Sequence, residues 1–263
     1  MDEAVSDPGR AARRGRTPQR RTSVVGVIGE VLITAGVIVL LYVVWQLWVG
    51  DLIYGAERNA EGTELSQEWA EQYEQEAPVA APTPDAAAPV EPVTAPPPVL
   101  QEPADAQEFA VMRIPRFGDD YAVPMAGGVT RARTLDTIGI GHYPGTSMPG
   151  EPGNFALAAH RTTFGAPFNR IAELRVGDAI VVETQEGWYT YRFRTLQYVR
   201  PDEVEVLLPV PQAMDVPAGT AYITLTSCSP KLSMTERIVA YGVFESFTPR
   251  AAGQLPPSLQ AVA

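Results

Sequence analysis

The feature that most constrains this chain is an apolar run, Val31 to Gly50 (VLITAGVIVLLYVVWQLWVG), twenty residues interrupted only by Thr34 and Gln46. As a helix it would be about 30 Å long, the thickness of a bilayer's hydrocarbon core. A core helix of a soluble protein would carry polar residues at helical spacing on one face, and none recur here. A cleaved signal peptide would have a shorter apolar stretch and a small-x-small cleavage site after it. The run is therefore read as an uncleaved membrane anchor, taken with its flank as residues 23–50.

Charge sets the expected orientation. Arg10, Arg13, Arg14, Arg16, Arg20 and Arg21 precede the run, and only Arg58 lies in the sixty residues after it. The positive-inside rule then makes residues 1–22 a cytoplasmic basic tail and puts the rest of the chain outside, on a single-pass protein of the cell membrane. Tyr42, Trp45 and Trp48 gather towards the outer end, as interfacial aromatics do. Residues 51–263 hold 14 basic and 27 acidic side chains, near −13. That balance argues against nucleic acid as a partner, because such binding rests on clustered positive charge.

After the anchor, Leu65, Trp69 and Tyr73 recur at i, i+4 and i+8, which predicts a short juxtamembrane helix. Ala77 to Gln107 then carries nine prolines among alanines, valines and acids. Such a segment cannot bury enough apolar surface to fold and favours extended polyproline geometry. Residues 51–108 are accordingly read as a juxtamembrane helix and a Pro/Ala-rich spacer.

From Phe109 the composition changes to short β segments punctuated by glycine and proline. Phe109–Ile114, Tyr121–Val123, Phe155–Ala159, Ala179–Glu183, Tyr189–Val199, Tyr222–Thr226 and Ile238–Phe244 all read as strands, with a hairpin turn at Thr184–Gly187. A turn or two of helix is expected around Ala166–Glu173. Seven or eight short strands predict an all-β barrel or sandwich over residues 109–247, followed by a loose tail, 248–263.

Cys228 is the only cysteine of the 263 residues. A free cysteine is often a small core hydrophobe. Outside the cell, however, an unpaired cysteine points to an intermolecular link or a reactive thiol. It ends one strand, and Arg237 begins the next. His160 stands at the end of an apolar strand, in FALAAHRTTFGAPF. A thiol needs a neighbouring base or cation to become a thiolate at neutral pH. Cysteine, histidine and arginine thus make a candidate catalytic set, while a capping role for His160 and a packing role for Cys228 stay open.

TLTSC (Thr224–Cys228), with an arginine nine residues on, resembles the active-site segment of sortases, membrane-anchored cysteine transpeptidases of Gram-positive bacteria. GHYPGTSMPGEPGNFALAAHRTTFGAPF (Gly141–Phe168) is similar to the histidine region of class E sortases of actinobacteria. The resemblance covers the whole of 109–247 and implies a closed sortase β-barrel of about eight strands with short helices. It implies Cys228 as nucleophile, His160 as general acid/base and Arg237 as the group that holds substrate and stabilises the oxyanion. Leu225, Thr226 and Ser227 would shape the substrate groove, with His142 and Tyr143 beside them. Ser227 departs from the family's usual threonine but keeps the hydroxyl.

The implied reaction cleaves a C-terminal sorting motif, of Leu-Ala-x-Thr-Gly or Leu-Pro-x-Thr-Gly type, between Thr and Gly through a thioester. An amine of a peptidoglycan precursor then takes the acyl group. The partners would be secreted proteins bearing that signal, the wall precursor and the membrane, with no cofactor and no metal. The acids Asp202, Glu203 and Glu205 would suit calcium in a loop bordering the groove, but a charged loop is more often simply solvated. A pilin-polymerising sortase and a non-catalytic, membrane-tethered wall-binding β domain remain as alternatives.

Overall fold

The computed structural model describes residues 23–45, 49–76, 97–251 and 254–260. The basic tail, Trp48 and most of the Pro-rich stretch lie outside these residues. Two units are distinguished, Met1–Val44 and Trp45–Ala263. The first contains helix α1, Val24–Val44, 21 residues with no buried side chain, long and apolar enough to cross a membrane. Thr34, within it, donates its hydroxyl to the Glu30 carbonyl four residues back (2.8 Å), which satisfies the group within the helix.

The second unit opens with α2, Gly50–Glu76. The sequence reading has this juxtamembrane helix ahead of the Pro/Ala-rich spacer and outside the 109–247 domain; here it packs on the barrel. Trp69, only 8% exposed, and Leu65 cover Val111 and Ala122. Asn59 Oδ1 accepts from the Ala122 backbone amide (3.2 Å). Gly62 allows this approach, since a Cβ there would lie 2.2 Å from the Ala122 carbonyl oxygen. The apolar positions read as one face of a helix are thus a docking face.

Eight strands close the barrel: β1 Glu108–Arg113, β2 Val123–Gly127, β3 Ile140–His142, β4 Gly153–Ala159, β5 Ala179–Glu183, β6 Gly187–Val199, β7 Ala221–Ser229 and β8 Glu236–Pro249. Around the barrel they run β1-β2-β3-β4-β7-β8-β6-β5. β2 with β3 and β4 with β7 are parallel, and the other pairs are antiparallel. Inward-facing residues such as Met112, Phe155, Leu157, Ile180, Tyr191 and Leu225 fill the interior. Closure leaves no free sheet edge.

Several sequence expectations shift. The Tyr121–Val123 strand lies further on, at β2. β3 was not anticipated. In place of one or two helical turns over Ala166–Glu173 there is a single 3-10 turn, Ile171–Glu173, because Ala166 has a left-handed backbone (φ 45°) and Pro167 follows it. The supposed tail is partly structured. β8 runs to Pro249, and Arg250 is buried, bonding the Glu183 carboxylate (2.9 Å) and lying over the Trp188 ring.

Glu183 ties these parts together. Its carboxylate accepts from Arg113 (2.7 Å), Arg250 (2.9 Å) and the Ser66 hydroxyl of α2 (2.5 Å). Burial alone would raise its pKa, but the two guanidiniums and the hydroxyl hold it below the usual glutamate value.

Candidate active site

Strand parity and register bring the three candidate residues to one place. β4 and β7 pair Ala158 with Thr226, and two residues further along each strand stand His160 and Cys228. β7 and β8 pair Cys228 directly with Arg237. Side chains alternate between faces. Phe155, Leu157 and Ala159 of β4, Ile223 and Leu225 of β7, and Ile238 and Ala240 of β8 point into the core. His160, Cys228 and Arg237 have the opposite parity, and all three line one groove of about 500 Å³ on the outside of the barrel. Tyr143, Arg161 and Thr226 line it with them.

Each is held by identifiable bonds. His160 Nε2 lies 2.6 Å from Asp136 Oδ1, and the Phe164 ring lies 5.2 Å from the imidazole at 32°. Cys228 is half-buried on β7. The β7 strand beneath it is fastened to β4: Thr226 donates to the Leu157 carbonyl (3.0 Å) and Ser227 to the Ala159 carbonyl (2.7 Å). The hydroxyl kept at Ser227 therefore joins the strand of Cys228 to the strand that leads into His160. Arg237 donates Nη1 to the carbonyls of Met234 (3.1 Å) and Glu236 (3.0 Å), which sets it at the lip of the groove.

The remaining sequence candidates divide. Tyr143 is at the groove, its hydroxyl 3.1 Å from Thr226 Oγ1. Leu225 is fully buried on the inner face, beneath the groove rather than in it. His142 is not in the groove. It is 1% exposed, stacks on Phe155 at 5.2 Å, and its Nε2 bonds the Ser147 carbonyl (3.2 Å) and Thr146 Oγ1 (2.9 Å). Burial pushes its pKa down, as expected for a neutral structural histidine. In the loop after β6, Asp202 pairs with the Arg200 guanidinium (3.4 Å), and Glu203 accepts from the Arg200 amide (2.5 Å) and lies 3.9 Å from its guanidinium, so these two acids face a cation of the chain.

Two residues were missed by sequence reasoning. Asp136 sits in a polar turn, RARTLDTIG, with no spacing signal to link it to His160 24 positions on. Arg161 follows the histidine in sequence and carries no motif of its own. It is 7% exposed and donates to the carbonyls of Asn169 (3.2 Å) and Cys228 (3.3 Å), so it anchors the end of β7. Burial lowers its pKa, and a guanidinium stays charged nonetheless.

The helix α2 reaches the back of this region. Gly165, at φ 80°, leaves room for the Tyr54 and Gly55 backbone, which a Cβ would meet at 3.1 Å. Asp51 lies beside the same loop. Burial raises its carboxyl pKa, against opposing pulls from the backbone of Gly165 and Phe164 and from His160.

A thiol, an imidazole and a guanidinium on the outer face of a closed mixed barrel form a site suited to nucleophilic acyl transfer. The sortase-domain profile matches residues 112–245. Sortase SrtE1 of Streptomyces coelicolor is 34% identical over 251 residues, covering 93% of this chain and 64% of that protein. Sortase SrtE2 of the same organism is 30% identical over 247 residues, covering 91% of this chain and 90% of that protein. The crystal structure of sortase E1 from Streptomyces coelicolor, with a tripeptide in its active site, is 37% identical. It superposes with a TM-score of 0.55 over 60% of this chain and 99% of that one. The chain belongs to the sortase family of cysteine transpeptidases, and it is similar to the sortases E of Streptomyces.

Proposed function

We propose that this protein is a membrane-anchored sortase that cuts a C-terminal sorting signal between Thr and Gly and passes the acyl group to an amine of a peptidoglycan precursor. The observation that carries the reading is the shared groove of His160, Cys228 and Arg237. The Cys228 thiolate attacks the threonine carbonyl, and Arg237 stabilises the oxyanion that forms. His160 protonates the leaving glycine amine as the C–N bond breaks, leaving a thioester. The incoming amine attacks that thioester, gives up its proton to His160 and releases Cys228. Water in place of the amine gives hydrolysis.

The apolar α1 and the arginine-rich sequence before it support an orientation with the groove outside the cell. Likeness to class E sortases favours Leu-Ala-x-Thr-Gly over Leu-Pro-x-Thr-Gly as the motif. The tripeptide in the sortase E1 groove supports a peptide ligand here.

The test uses the full chain in detergent micelles with peptides of both motifs. Intact-mass analysis should show an acyl adduct on Cys228 that hydroxylamine removes, and an added amine should divert product from hydrolysis to transfer. Folded protein that forms no adduct with either peptide would refute the reading, and Cys228→Ala should form none.

A further inference from the structure

The Asp136–His160 contact carries an inference that rests on the reading above and deepens it. A carboxylate can only accept hydrogen bonds, so at 2.6 Å the His160 Nε2 must be the donor. Nε2 then keeps its proton through the cycle, and Nδ1 is the nitrogen left to exchange one. Phe164 against the ring restricts its rotation about the remaining axis.

Asp136 is itself held from two sides. Its amide donates to the Arg131 carbonyl (2.8 Å), closing the π-type turn Arg131–Leu135. Its carbonyl accepts from Arg58 Nη2 of α2 (3.2 Å). Arg131 Nε approaches the same carboxylate oxygen at 3.5 Å, but that side chain is 66% exposed, so its effect is screened. The carboxylate is 21% exposed and the imidazole 13%. Neither partner is a freely moving surface group.

We propose that Asp136 is a positioning residue: it fixes the tautomer and orientation of His160, so that Nδ1 carries the proton between the thiol and the leaving amine. Asp136 touches neither the thiol nor the scissile bond in this role. The other titratable or charged groups around the ring are Asp51 and Arg58 from α2, Arg131 from the turn, Arg161 next in the chain, and Cys228 and Arg237 from β7 and β8.

The experiment compares Asp136→Ala, Asp136→Asn and Asp136→Glu with the parent, as full chains in micelles on a fluorogenic sorting peptide. General acid–base catalysis supplies about a hundredfold or more, so Asp136→Ala should lower kcat by about that factor with KM within about twofold. Asp136→Glu should recover much of the loss, and Asp136→Asn should resemble the alanine variant. Unchanged kcat in a folded Asp136→Ala would overturn the proposal.

A second measurement does not need turnover. With two histidines in the chain, the ring nitrogens of His160 can be assigned by 15N spectroscopy against a His142→Gln sample. The parent should carry its proton on Nε2 at high pH, and Asp136→Ala should mix the two tautomers. A parent ring protonated on Nδ1 overturns the proposal even if the variants fail to fold. If His160→Ala keeps turnover, the acid–base reading of His160 itself fails; if His160→Ala is dead while Asp136→Ala is unaffected, only the positioning role fails.

Discussion

Replacing Gly62 with alanine tests whether α2 belongs to the folded unit, because the two relevant effects have opposite signs. In an isolated helix the change would stabilise by about 1 kcal/mol. In this structure the new Cβ would lie 2.2 Å from the Ala122 carbonyl oxygen and 2.7 Å from its carbon, and both are backbone atoms that cannot swing aside. Relief to an ordinary 3.4 Å contact requires the helix to back off by roughly 1.2 Å, the difference between 3.4 and 2.2. A gap of that size forfeits a quarter to a half or more of each contact's attraction. Trp69 and Leu65 stand on the same face. At about 1.5–3 kcal/mol for each buried side chain, their loss comes to roughly 1–3 kcal/mol. The Asn59 bond to the Ala122 amide, already 3.2 Å long, would also break, at a cost of about 1 kcal/mol. Set against the helix gain, the expected net is a destabilisation of about 1–3 kcal/mol. Urea unfolding of the full chain in micelles, followed by tryptophan fluorescence, reads it as a lower midpoint. Because α2 also touches the loop behind His160 and the Asp136 carbonyl, peptide turnover should fall before the barrel unfolds. A Gly62→Ala protein as stable as the parent, or more stable, refutes the docked helix and restores a free juxtamembrane helix.

Two further perturbations separate fold from chemistry. Glu183→Ala leaves Arg113 and Arg250 without their carboxylate; removing one partner from a buried charge network should cost about 3–5 kcal/mol. The Glu183 pKa is depressed below 4.5 in the folded protein, so its contribution is complete above pH 4.5 and is lost as pH falls through the folded value. Acid unfolding of the parent should therefore be steeper below pH 4.5 than that of Glu183→Ala, as seen by circular dichroism. Arg237→Ala should lower kcat about 10²–10³-fold with an unchanged urea midpoint, because its bonds in the resting protein go only to the nearby Met234 and Glu236 carbonyls. Arg237→Lys should recover little, since an ammonium cannot reproduce the guanidinium fork.

The three candidate residues were visible in sequence and the residues that hold them were not, and the reason is geometric. Cys228, His160 and Arg237 sit at strand ends, where period-two alternation and a short connection fix which way a side chain faces. β7 and β8 are joined by the six residues 230–235, so a cysteine ending one strand and an arginine starting the next must be near neighbours. The link from His160 to Cys228 is less local, because it depends on the parallel β4–β7 pairing across 68 residues. Only the resemblance to a known family supplied it.

Asp136 and α2 depend on contacts that no periodicity encodes. The Asp136 loop meets His160 because β3, three residues long, pairs with both β2 and β4 and so brings that connection to the end of β4. A strand that short leaves almost no alternation to read. The Leu65–Trp69–Tyr73 spacing did announce an apolar helix face, but a face does not name what covers it, and the prolines after it made a spacer the natural neighbour. Gly62 in the middle of that helix was the overlooked sign. A glycine there weakens the helix by about 1 kcal/mol, and close approach to the Ala122 backbone is what it permits in return. The same close approach, repeated where Gly55 meets Gly165, puts the first turns of α2 against the loop behind His160. The helix that follows the apolar α1 in sequence is therefore part of what supports the candidate site.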